Sequence, residues 1–129
     1  MGATRPSLVA IDDEVEFTKA IDTFFSTRGY DVHVALTGPS GLALVDAHQP
    51  RVVLVDLKLP GMDGDEILQH ILRTHPETRV IVITAYNDGG ATRERLLRAG
   101  AFAYFDKPLS SLRNLAQTVQ QAMSPSASA

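Results

Sequence analysis

The sequence contains no cysteine. That absence removes disulfides, thiolate nucleophiles and cysteine-based metal sites in one step. Long apolar runs are missing as well. None approaches the ~18 residues that span a bilayer, and Met1 to Ser7 carries one Arg with no apolar stretch behind it, so neither a membrane span nor an export signal is expected. The expected location is therefore the cytoplasm. Nor is there a broad basic excess: 12 Lys+Arg face 15 Asp+Glu, a formal charge of -3, which speaks against direct binding to nucleic acid phosphates. At 129 residues the chain has room for one domain, which excludes a catalytic domain joined to a separate reader domain. What is present is an ample core composition. Apolar residues make up 44% of the chain, and a domain of this size buries roughly two-thirds of its unfolded surface and folds unaided.

Short apolar runs of strand length alternate with longer segments of helical period, the pattern of a parallel sheet with crossover helices. The first run, Leu8 to Ile11, ends abruptly in Asp12-Asp13-Glu14, and the helix after it places Phe17, Ile21, Phe24 and Phe25 on one face before stopping near Gly29. A second strand, Asp31 to Leu36, precedes Gly38-Pro39 and a helix carrying Leu42 and Val45. The third run, Val52 to Val55, is uninterrupted and β-branched, as suits a central strand covered on both faces, and it ends in Asp56. Asp63 then caps a helix bearing Ile67, Leu68, Ile71 and Leu72 that ends before Pro76. The fourth strand, Val80 to Ile83, ends in Thr84. A looser segment leads into a helix at Ala91 to Arg98. The fifth strand, Phe102 to Phe105, ends in Asp106-Lys107-Pro108, before a last helix with Leu112, Leu115, Ala116 and Val119. There is no repeat of solenoid type. The expectation is five βα units with short right-handed connections.

In an open parallel sheet, ligands bind beyond the carboxyl ends of the strands, near the point where strand order reverses. With strand order 2-1-3-4-5, Asp12, Asp13 and Asp56 gather on the first and third strands, flanked by Thr84 and Lys107 from the fourth and fifth. Three carboxylates at close range repel unless a cation is present, and an all-oxygen set suits a hard ion such as Mg²⁺. A carboxylate beside such an ion can attack a phosphoryl group, since that transfer needs chiefly positioning and neutralisation of the equatorial oxygens. The Lys107 ammonium and the Thr84 hydroxyl have the chemistry to meet those oxygens. The formal charge of -3 equals these three carboxylates alone, the remaining acids and bases balancing.

These residues stand in Ile11-Asp12-Asp13-Glu14, Asp56-Leu57-Lys58-Leu59-Pro60-Gly61-Met62-Asp63-Gly64, Thr84-Ala85 and Lys107-Pro108. The chain resembles the receiver domain of two-component response regulators over about residues 7–123. Residues 1–6 are then an N-terminal tail and 124–129 a flexible tail or truncated linker. The resemblance implies a doubly wound, flavodoxin-like (βα)5 fold with a five-stranded parallel sheet. It implies that Asp56 accepts a phosphoryl group from the phosphohistidine of a histidine kinase or phosphotransfer protein. Asp13, Asp56 and the Lys58 backbone carbonyl would hold Mg²⁺ directly, and Asp12 largely through water. Lys107 would contact the phosphoryl oxygens, with a cis peptide before Pro108, where the cis form costs little. Thr84 and Tyr104 would be the switch pair, the ring turning inward as the face of the fourth helix, fifth strand and fifth helix is remodelled. Lys58 and Tyr86 flank the acceptor, and both are bulky. They are expected to shield it and lengthen the life of the phosphorylated form. Such a domain is a regulated binding module and not an enzyme with external turnover. Its output partner, and whether phosphorylation drives homodimerisation, are open.

Plainer readings exist for several of these residues. Asp12-Asp13 could serve only to offset a helix macrodipole, Thr84 could be a simple strand-end hydroxyl, and Tyr104 an ordinary core aromatic. Arg93, Arg95 and Arg98 read first as a solvated basic face and second as a dock for an acidic partner. His33, His48, His70 and His75 fall on different elements without ligand spacing. Two other functions compete. A haloacid dehalogenase-like phosphatase would need a second Asp where Lys58 stands. A flavin-binding module would want a phosphate cradle after the first strand, where Asp12-Asp13-Glu14 would repel the phosphate. A degenerate receiver working without phosphorylation is the third alternative, although every acceptor-site residue is present.

Overall fold

The computed structural model describes residues 5–124. Most of the two tails, residues 1–4 and 125–129, lies outside the described residues. Strands and helices alternate strictly: β1 (Ser7–Ile11), α1 (Val15–Ser26), β2 (Asp31–Ala35), α2 (Gly38–His48), β3 (Val52–Val55), α3 (Gly64–Thr74), β4 (Arg79–Thr84), α4 (Ala91–Ala99), β5 (Ala103–Asp106) and α5 (Leu112–Met123). The strands form one sheet in the order β2-β1-β3-β4-β5, and every pairing is parallel. The doubly wound fold expected from the alternation is the fold observed.

Side chains along a strand point to opposite faces in turn, so each buried strand feeds two cores. Val9, Ile11, Val53, Val55, Val80 and Val82 pack beneath Ile67, Leu68, Ile71 and Leu96. Leu8, Ala10, Val52, Leu54, Ile81 and Ile83 pack against Ile21 and Phe25 of α1 and Leu115 and Val119 of α5. All of β3 is buried, which is why its sequence is apolar without alternation. Strand ends differ slightly from the sequence pattern. β2 stops at Ala35, whose carbonyl takes the Asp12 N–H at 3.0 Å, leaving Leu36 42% exposed. β5 starts one residue later than its apolar run, because Ala103 registers with Ile81 and Asp106 with Thr84. That register carries Lys107 to the same end of the sheet as Asp12 and Asp56.

Candidate functional site

Asp12 and Asp56 are the residues next after β1 and β3. Their backbones are locked to adjacent strands: the Asp12 N–H donates to Ala35, and the Asp56 N–H to the Ile11 carbonyl at 3.1 Å. Both side chains are nearly shielded, at 2% and 8% residue exposure, while Asp13 faces solvent. One carboxylate oxygen from each of Asp12, Asp13 and Asp56 lies within 4.8 Å of the others. The Asp56 Oδ1 also accepts the Lys58 N–H at 3.3 Å, which fixes the turn after the strand. Lys107, arriving from β5, points its ammonium into this group. Its Nζ donates to Asp12 Oδ2 at 2.7 Å and to Asp56 Oδ2 at 3.2 Å, and it also bonds Glu14 Oε1. The Lys107–Pro108 peptide is cis.

One ammonium is thus shared among three carboxylates, with Asp13 beside them. Burial pushes the Asp12 carboxyl above its ordinary value, and the bonds from Lys107 and the Glu14 N–H offset only part of that rise. For Lys107, burial works to lower the ammonium, but its bonds to Asp12 and Glu14 and the charges of Asp12 and Asp56 outweigh it. The group is held above its ordinary value. The asymmetry is physical: the lysine receives all the attraction, whereas each acid receives a share. The pocket keeps a net negative charge, and its donors are all oxygens. That set fits a hard divalent cation and suits a soft one poorly.

Thr84 closes β4 and is buried; its Oγ1 accepts the Tyr86 N–H at 3.2 Å. Tyr104 lies with its ring inside, 7% exposed, and its hydroxyl donates to the Tyr86 carbonyl at 3.2 Å. Burial, with Asp106 and Asp88 nearby, raises the Tyr104 hydroxyl above its ordinary value. The Arg93 guanidinium sits 5.8 Å from that ring. Tyr86 is exposed, and the Lys58 ammonium stands 4.6 Å from its ring centroid, joining the loops that follow β3 and β4. Elsewhere, Arg95 forms a two-pronged pair with Asp65 of α3 at 2.9 and 3.2 Å. His33 and His48, far apart in sequence, stack at 3.7 Å. Among the described residues no histidine joins a metal-ligating group.

Three residues of the site carry no role in the sequence reading: Glu14 and Phe17, which contact Lys107, and Gly64. Phe17 lies with its ring centroid 4.5 Å from the Lys107 Nζ. A Cβ on Gly64 would sit 2.5 Å from the Asp56 carbonyl oxygen and 2.8 Å from the Leu57 Cα, so α3 starts against the backbone that seats Asp56. Neither backbone atom can yield cheaply. Gly64→Ala should destabilise the fold by about 1–3 kcal/mol. The check is chemical denaturation against Gly89→Ala, where the new Cβ meets nothing within 4 Å and only a φ of +80 is strained.

The loop from β4 to α4 rests on Asp88, which accepts both the Thr92 hydroxyl at 2.7 Å and the Thr92 N–H at 3.0 Å. These bonds hold the Asp88 carboxyl below its ordinary value of 3.8. A depressed acid stabilises above its unfolded pKa and loses that contribution as pH falls through its folded pKa. Hydrogen-exchange protection of the Thr92 amide should therefore be constant above pH 3.8 and fall below it, and Asp88→Ala should lower it at every pH above that value.

Fold and pocket together define a class: a doubly wound parallel α/β domain with buried acids and a lysine at the carboxyl ends of its strands. The chain belongs to the response regulator receiver domain family, whose profile matches residues 8–120. This family serves two-component signalling and consists of signalling domains, not classical enzymes. The chain is 34% identical over 101 residues to Sporulation initiation phosphotransferase F of Bacillus subtilis, covering 78% of this chain and 81% of that protein. It is 35% identical over 116 residues to Regulatory protein AtoC of Escherichia coli, covering 90% of this chain but only 25% of that larger protein. Among solved structures, a CheY-like response regulator receiver domain protein from Methanospirillum hungatei JF-1 matches with a TM-score of 0.86 and 28% identity, covering 93% and 94% of the two chains. Among the described residues no helix is long and apolar enough to cross a membrane.

Proposed function

We propose that Asp56 is the phosphoryl acceptor of a two-component relay. The observation that carries this reading is the placement of its carboxylate: shielded at the end of a central strand, 3.2 Å from the Lys107 ammonium and grouped with Asp12 and Asp13. An Asp56 oxygen forms the new O–P bond as the N–P bond of a partner's phosphohistidine breaks, and the imidazole nitrogen leaves with the electron pair. Lys107 donates to a phosphoryl oxygen, and the Thr84 hydroxyl, at the end of the neighbouring strand β4, reorients and donates to another. Asp12, Asp13 and Asp56, with the Lys58 carbonyl, would hold Mg²⁺, which when bound neutralises charge on the transferring group. The donor is a histidine kinase or phosphotransfer protein. Residues 7–123 form the functional unit, and the α4, β5 and α5 surface, which carries Tyr104, is the output face toward a target or a second copy.

The expected result is that the protein, incubated with phosphoramidate or acetyl phosphate and Mg²⁺, gains one phosphoryl group by intact mass, and that a chelator abolishes the gain. If the wild type gains none with Mg²⁺ present, the reading fails.

The Lys58 and Tyr86 pair covers the approach to Asp56 and slows attack by water on the phosphorylated form. An exposed cation–π contact contributes about 0.5–1 kcal/mol, so Tyr86→Ala should speed hydrolysis by about two- to fivefold. Single-turnover dephosphorylation measures it; an unchanged rate would remove Tyr86 from this role.

A further inference from the structure

The Lys107 ammonium has three protons to donate, and all three are engaged, by Asp12, Asp56 and Glu14. To meet an incoming phosphoryl oxygen it must release one partner. Asp12 is poorly placed to let go: its side chain is 3% exposed, and its other oxygen already holds the Glu14 N–H at 2.9 Å. Asp56 is the group being modified. Glu14 differs from both, because its side chain is 60% exposed and water replaces a lost partner there at little cost. It occupies the N-cap position of α1 yet makes no capping hydrogen bond with its side chain, which goes to Lys107 instead. Three residues on, Phe17 presents its ring to the same ammonium at 4.5 Å. The start of α1 therefore offers Lys107 a resting place made of one acid and one aromatic face.

We propose that Glu14 is a displaceable counter-ion that holds Lys107 in reserve and competes with the phosphoryl group for it, so that its removal strengthens phosphoryl binding. This positioning role rests on Asp56 being the acceptor. Glu14 acts in two ways: its carboxylate occupies one Lys107 proton, and its negative charge lies close to where the phosphoryl dianion must come. It also adds to the charge that attracts Mg²⁺, so the comparison belongs at saturating Mg²⁺, where this last contribution is constant.

The test is the affinity of the full chain for beryllofluoride, a phosphoryl mimic, by calorimetry at saturating Mg²⁺, with thermal midpoints recorded alongside. Glu14→Gln keeps the size and the backbone bond to Asp12 but loses the charge, and should bind about two- to fivefold more tightly, with its midpoint little changed. Glu14→Asp keeps the charge but is one methylene short of Lys107, and should show a smaller gain. Phosphorylation by phosphoramidate should accelerate in the same order. A Gln variant that binds equally or more weakly overturns the inference, since a structural support for Lys107 would give that result. A wild type that neither binds beryllofluoride nor gains phosphoryl mass overturns the assignment of Asp56 and the inference with it. A wild type that does both, with variants no different from it, overturns the inference alone.

Discussion

Asp56→Asn should gain no phosphoryl mass under conditions in which the wild type gains one group, while folding at least as well. The amide matches the carboxylate in size and keeps an oxygen for the Lys58 N–H. It loses the nucleophilic charge and one of the acids that pull on Lys107. Because Asp12 and Asp56 repel one another in a shielded site, neutralising one should leave folding stability unchanged or raised in chemical denaturation. Loss of acceptance without loss of fold separates a chemical role from a structural one. A variant that still takes up a full equivalent would move the acceptor elsewhere.

The second large effect is expected at Lys107. Its ammonium lies between Asp12 and Asp56, the volume in which a divalent cation would also act, so the lysine both assists and competes. Lys107→Met retains the aliphatic stem and removes the charge. Leaving two buried acids without their cation should cost about 3 kcal/mol or more in metal-free solution. Mg²⁺ should restore much of this by mass action and should bind more tightly than to the wild type. Phosphorylation should nonetheless slow by about 10²–10³-fold, the usual loss when one preorganised donor to a developing anion is removed. Metal titration and phosphoramidate kinetics on one variant should thus move in opposite directions. If both weaken together, Lys107 is a structural support and not the cation that meets the phosphoryl group.

The lysine also connects to the pH response. A raised lysine contributes its full stabilisation below its unfolded pKa of 10.5 and loses it only as pH rises through the higher folded value. The ion pairs of this pocket should therefore hold at neutral and mildly alkaline pH.

Much of this was legible in the sequence because burial in a parallel sheet is a local pattern. Val52 to Val55 had to be covered on both faces, and an acid immediately after such a run, as at Asp56, has to sit at the strand's carboxyl end. The same pattern puts Asp12, Thr84 and Lys107 at one end of the sheet. Strand ends are less legible: Leu36 and Phe102 fall outside β2 and β5, since a terminus is decided by the neighbouring strand's register and not by its own apolar residues.

The contacts between side chains belong to the tertiary structure. Glu14 looks like one more acid beside Asp13 until the chain returns 93 residues later and brings Lys107 to it. His33 and His48 show no common pattern, yet the packing of α2 on β2 stacks them. Lys58 and Tyr86 stand two residues past Asp56 and Thr84, but that they touch depends on how the loops after β3 and β4 approach one another. Which chemical groups stand at the strand ends follows from alternation and burial, and these are set residue by residue along the chain. Which of those groups hold one another is a property of the folded molecule, because it depends on strand order, register and the reach of long side chains across elements.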